Sequence, residues 1–173
     1  MISNNLLCDT GIKLNNEIVE ELISLANTSK FYLSKGGFWR YDITGNLKNK
    51  LQSIFSFEFS DCGFLKTMPN QTYKWHKDNT RISAINMLIL ESNKNFVTSF
   101  LDEKKIRIDV EYRPHIFTLF NVQEYHCVTN NSPHIERIIL SIGFKKNTYE
   151  ELLEAFLSNI LIKKSPLCSY DVL

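Results

Sequence analysis

Apolar residues recur at helical spacing in two early stretches of the chain. In "LNNEIVEELISLAN", Ile18, Val19, Leu22, Ile23 and Ala26 share a face, with Asn15 or Asn16 placed to cap and Glu17, Glu20 and Glu21 in the early turns. "GNLKNKLQSIFS" repeats the pattern through Leu47, Leu51, Ile54 and Phe55. From about residue 57 the period changes, and "FEFSDCGFLKTMP" reads as extended up to Pro69. Short runs rich in β-branched and aromatic residues follow at 73–76, 81–90, 95–101, 105–110, 115–121, 124–129 and 135–145. "DEKK" is a hairpin turn between Phe100 and Ile106. "KIRIDVEY" alternates, which predicts Ile106, Ile108, Val110 and Tyr112 inward and Arg107, Asp109 and Glu111 outward. "NTYEELLEAFLSNILIKK" predicts a closing amphipathic helix, and the last ten residues read as a tail.

With the run near Phe64 these make about eight strands, which favours a two-sheet jelly roll over a parallel α/β sheet. The fold class is mainly β with flanking helices and a cupin-like jelly-roll core. No repeat or low-complexity linker interrupts it. The reading is one domain over 1–173: an N-terminal helical and strand support region (1–56), the β core (57–147), and a C-terminal helix and tail (148–173).

Composition narrows the function classes. Hydrophobic residues make up 43% and charged residues 23%, ordinary for a soluble globular protein. A net charge of +1 gives no electrostatic footprint for nucleic acid or an anionic membrane. The longest apolar stretch, around "AINMLIL", is too short to span a bilayer. The N-terminal residues show no basic segment followed by an apolar one, so no signal peptide is expected. Four scattered cysteines, Cys8, Cys62, Cys127 and Cys168, read as free thiols in a reducing compartment. These features together predict a cytoplasmic protein.

The candidate chemistry begins at "YKWHKDNTRISAINMLIL", where His76 and Asp78 stand between an aromatic run and a long apolar one. A capped turn is the structural alternative for such a pair. Two histidines and one carboxylate on one side of a metal hold iron(II) and leave positions open for substrate and O₂. The third ligand must then come from a distant strand. His115 and His134 each follow a proline, whereas His126 re-enters a strand after the "NVQE" turn. Eleven residues later, Arg137 opens the alternating strand "RIILSIGF". If Arg137 faces the interior with Ile139 and Ser141, then Ile138, Leu140, Ile142 and Phe144 pack the other side. A buried arginine needs an anion, and a bound carboxylate would serve.

His76-x-Asp78, then His126 and Arg137, resembles the iron(II)/2-oxoglutarate-dependent oxygenases over roughly residues 60–145. The similarity is to the small aspartyl/asparaginyl- and prolyl-hydroxylase branches, through "HKDNTRISAINMLIL" and "PHIFTLFNVQEYHCVTNNSPHIERIILSIGF". The resemblance implies a double-stranded β-helix core, with His76, Asp78 and His126 binding Fe(II) and Arg137 pairing with the distal carboxylate of 2-oxoglutarate. With O₂, it implies hydroxylation of an amino-acid side chain, free or in a peptide or protein, with release of succinate and CO₂. The serine that some members carry two residues after the arginine is Ile139 here. The aspartyl/asparaginyl branch has glycine at the position of Asp78, and the second arginine of nucleic-acid demethylases would fall at Gly143.

Further candidates are Ser141, Tyr73 and Asn86 around the cosubstrate, and Arg81, Trp75 and Trp39 around the substrate. Arg81 and Asn86 could bind carboxylates; a surface arginine and a core amide are the plainer alternatives. Trp39 lies in "SKFYLSKGGFWRYDITGN", which reads as an edge hairpin buttressing the sheet or as a glycine-hinged lid. Cys127 should face away from the metal, because alternate strand residues point opposite ways. Two rival readings are a cupin-like metalloprotein acting without 2-oxoglutarate and a non-catalytic jelly-roll binding module.

Overall fold

Every strand run predicted from Phe64 onward forms a strand in the computed structural model, which describes residues 5–89, 95–110, 112–163 and 167–170. In chain order the elements are β1 (Leu7–Leu14), α1 (Asn16–Thr28), β2 (Tyr32–Leu33), β3 (Trp39–Asp42), α2 (Gly45–Ile54), β4 (Asp61–Thr67), β5 (Thr72–His76) and β6 (Ser83–Leu88). They continue with β7 (Phe96–Leu101), β8 (Arg107–Val110), β9 (Ile116–Phe120), β10 (His126–Asn130), β11 (Arg137–Phe144), α3 (Tyr149–Leu157) and β12 (Cys168–Tyr170). Residue 90 of the 81–90 run, Glu111 with its expected outward side chain, and 164–166 and 171–173 of the expected tail lie outside the described residues.

The strands build two antiparallel sheets, one in the order β12-β1-β9-β6-β11-β4-β3-β2 and the other β5-β10-β7-β8. Strand β11 at the centre of the larger sheet has the two faces that its alternation predicts. Ile138, Leu140, Ile142 and Phe144 pack with Leu22, Leu51 and Leu152 of the helices. Ile139 joins Leu88 and Phe120 of its own sheet and Phe96 and Phe100 of the smaller one. The helices therefore cover one face of the larger sheet and the second sheet covers the other, the jelly-roll arrangement. Each fully buried Phe or Leu on these faces contributes about 1.5–3 kcal/mol.

Helix α1 starts where Asn15 accepts a 3.0 Å hydrogen bond from the Ile18 amide. Helix α3 opens with a capping box: Glu151 donates its amide to the Thr148 hydroxyl and accepts the Thr148 amide on its carboxylate. Thr148→Ala is expected to destabilise the protein by about 1 kcal/mol, read as a lower urea midpoint at unchanged slope.

Three local expectations are corrected, and one strand was not foreseen. Ile106 is 57% exposed rather than inward, because it closes the β7–β8 turn and donates its amide to Asp102 Oδ1. Helix α3 stops at Leu157, where the chain turns through Asn159 (φ 55°) and leaves Ile160 59% exposed. Within the expected tail, Cys168–Tyr170 pairs with β1. Strand β1 itself escaped the period-2 test. It is covered on both faces, and its register against β9 shifts between Asp9 and Lys13, around Gly11 at φ 66°.

Candidate metal centre

His76 ends β5 and His126 opens β10, and the two are direct cross-strand partners. Facing pairs on one sheet hold their side chains about 5 Å apart, close enough to share an ion. A bulge makes this possible. Three steps along β5, from Tyr73 to His76, oppose two along β10, from Val128 to His126. The extra residue rephases the strand, so Tyr73 and His76 both line the cavity while Lys74 and Trp75 are exposed. Asp78 follows in the loop, where its amide donates to the Val122 carbonyl at 2.9 Å.

The three side chains converge. His76 Nε2 lies 3.5 Å and His126 Nε2 3.8 Å from Asp78 Oδ1, and the imidazole centroids are 4.2 Å apart. Each Nδ1 sits against a backbone carbonyl, Lys74 O at 2.8 Å for His76 and Glu124 O at 2.9 Å for His126. A carbonyl can only accept, so Nδ1 carries the proton and Nε2 presents its lone pair to the centre. Two neutral imidazoles and a carboxylate, each oriented through its other atom, are a donor set that fits a divalent transition metal.

Electrostatics favour the same forms of His126 and Asp78. Burial pushes the His126 pKa below the usual imidazole value. Burial alone would raise the Asp78 pKa. Its contact with His76 and the positive charge of Arg81 outweigh it, so the carboxyl titrates below its ordinary value. The lowered pKa values of His126 and Asp78 both favour the unprotonated forms that bind a metal.

A cavity of about 580 Å³ runs inward from the centre. Phe100, Phe120, Val122 and Val128 give it apolar walls, and Arg137 and Asn86 line it. Arg137 is 1% exposed. One of its terminal nitrogens donates to Thr98 Oγ1 at 2.8 Å, and its guanidinium lies 5.1 Å from the Tyr112 ring centroid. Its Nε has no hydrogen-bond partner, nor does Asn86 Oδ1. Among the described residues no carboxylate pairs with Arg137, and burial pushes its pKa down. A charged donor left unsatisfied against an open cavity is costly unless an anion enters.

The other sequence candidates divide. Tyr73, Arg81 and Asn86 line the cavity with the triad and Arg137; Trp75, Trp39 and Ser141 do not. Trp75 is turned out by the bulge and is 40% exposed. On β3 the neighbouring Arg40 takes the cavity face instead of Trp39. Ser141 is buried, and its hydroxyl accepts from Arg81 at 2.7 Å rather than facing a cosubstrate. His115 and His134 stand apart, His115 with Nε2 on the Ile89 carbonyl. Cys127 is outside the cavity and hydrogen-bonds toward Ser99, as alternation predicts. Segment 29–46 forms the β2–β3 hairpin at the edge of the larger sheet, yet Lys35, Gly36 and Phe38 of its turn line the cavity mouth. Sequence reasoning missed Thr98, although a threonine between Phe96 and Phe100 on an inward face is the same signal that marked Asn86.

No protein-family model and no curated protein sequence matches the chain. Solved structures do match. A prolyl-4-hydroxylase from Pseudomonas putida is 14% identical, with a TM-score of 0.59 over 82% of this chain and 92% of that one. The viral collagen prolyl hydroxylase of Paramecium bursaria Chlorella virus-1, in its 2-oxoglutarate complex, is also 14% identical, with a TM-score of 0.56 over 79% of this chain and 93% of that one. The chain has the jelly-roll fold of these hydroxylase structures. HygX from Streptomyces hygroscopicus, with nickel and 2-oxoglutarate bound, shares this fold at 10% identity, with a TM-score of 0.58 over 83% of this chain and 84% of that one. No helix among the described residues is long and apolar enough to cross a membrane.

Proposed function

We propose that the protein is a non-haem iron(II)- and 2-oxoglutarate-dependent dioxygenase that hydroxylates an amino-acid side chain, free or within a peptide or protein. One observation carries this reading. The His76–Asp78–His126 centre and a buried arginine with an unsatisfied Nε line the same cavity. A metal-only site has no use for that arginine; a dicarboxylate cosubstrate needs both.

His76, Asp78 and His126 hold the metal. Arg137 takes the distal carboxylate of 2-oxoglutarate through paired N–H donors, with Thr98 holding the guanidinium and Asn86 and Tyr73 as further polar contacts. Iron(II) bound there supplies the coupling of O₂ to 2-oxoglutarate decarboxylation, one oxygen atom entering succinate and the other a substrate C–H bond. The apolar walls at Phe100, Phe120, Val122 and Val128 keep water from the reacting space. Substrate enters at the mouth formed by Lys35, Phe38 and Arg40. The prolyl hydroxylases among the structural neighbours support a side-chain substrate. Four free thiols support a reducing, cytoplasmic setting.

Anaerobic titration of the metal-free protein with Fe(II) and then 2-oxoglutarate tests this. Chelation of iron by the keto acid is expected to give a visible charge-transfer band. Iron binding without the band would point instead to a cupin-like metalloprotein acting without 2-oxoglutarate. No iron binding would leave a non-catalytic binding module.

A further inference from the structure

Arg81 precedes β6, and its side chain crosses the end of β11. Its Nε lies 2.8 Å and one terminal nitrogen 2.6 Å from Asp78 Oδ2, and its other terminal nitrogen donates to Ser141 Oγ at 2.7 Å. Asp78 Oδ1 is left facing the two imidazoles. Gln123 ties both residues from the backbone side, donating its side-chain amide to the carbonyls of Asp78 at 2.9 Å and Arg81 at 2.7 Å.

The seat of this guanidinium is built by an absence. A Cβ on Gly143 would overlap Arg81 Cδ and lie 2.6 Å from Asp61 Oδ2. Any larger residue there fills the space through which Arg81 reaches the carboxylate.

We infer that Arg81 is a positioning residue that fixes Asp78 as a one-oxygen metal ligand, with Ser141 and Gly143 forming its seat. The inference rests on the metal reading proposed above. With Oδ2 engaged by a two-pronged donor, the carboxylate cannot rotate to offer both oxygens to the ion, and a coordination position stays open. Arg81 thus acts through Asp78, not on substrate, and Ser141 acts through Arg81.

The test is Co(II) titration of the full chain, followed by visible absorption, for the parent and for Arg81→Met, Arg81→Lys and Gly143→Ala. Loss of a residue that orients a ligand typically weakens metal binding about 10–100-fold. Arg81→Met is expected to fall in that range with an altered Co(II) spectrum, and Arg81→Lys to recover part of the affinity. Gly143→Ala leaves every polar group in place, so a matching spectral change in it is a result that simple loss of charge does not produce. If Arg81→Met is misfolded by circular dichroism, Gly143→Ala and Arg81→Lys decide. Parental affinity and spectrum in all folded variants would overturn the positioning role alone. A parent that binds no Co(II) would overturn the metal reading and this inference with it.

Discussion

His126→Ala is expected to weaken Fe(II) binding by at least about a hundredfold and to abolish the charge-transfer band at any practical 2-oxoglutarate concentration. The magnitude follows from ligand count. Zinc held by four protein ligands is bound by about 10–16 kcal/mol, so each ligand carries roughly 3 kcal/mol, about two decades in affinity. The proposed site has three ligands. His126 is also the most buried of the three, its Nδ1 already fixed on the Glu124 carbonyl, and no other histidine stands near enough to replace it. His134→Ala, which removes a histidine outside the cavity, should leave the titration unchanged. Parental iron affinity in His126→Ala would falsify the assignment of the triad.

Arg137→Met separates the cosubstrate site from the metal site. Removing one partner of a buried charge pair costs about 3–5 kcal/mol, so the 2-oxoglutarate requirement should rise by about two to four decades while Fe(II) affinity holds. Stability should move the other way. The guanidinium is 1% exposed with an unpartnered Nε, and methionine of similar length removes that unsatisfied charge. The metal-free variant is therefore expected to melt no lower than the parent. Adding saturating 2-oxoglutarate to protein already loaded with a redox-inert metal should raise the melting temperature of the parent further by mass action and leave that of metal-loaded Arg137→Met unmoved. If both proteins respond to 2-oxoglutarate alike, the carboxylate partner of Arg137 is something else.

The candidate site was legible in the sequence wherever chemistry and local period agreed. His76-x-Asp78 is contiguous, His126 stands at a visible strand start, and Arg137 shares an inward face with Ile139, and the resemblance to the oxygenases implied that the four converge. Trp75 and Trp39 failed for opposite reasons. Strict alternation from Tyr73 places Trp75 inward, and the β5 bulge reverses it. Trp39 was chosen for its aromatic character, yet the hairpin register gives the cavity face to Arg40. Ser141 was on the expected buried strand, and only the position of Arg81 gives its hydroxyl a different partner.

What the sequence by itself determined is the set of periodic signals: three amphipathic helices, the strand runs with their buried faces, and the order of the polar residues set among them. Those follow from local side-chain geometry, which repeats every 2 or 3.6 residues and needs no distant partner. The tertiary structure alone decided the bulge that brings His76 opposite His126, the pairing of β12 with β1, and the passage of Arg81 over Gly143 to Asp78. Each depends on contact between segments far apart in the chain, where register and the space left by a missing Cβ are set by neighbours that the local pattern does not name.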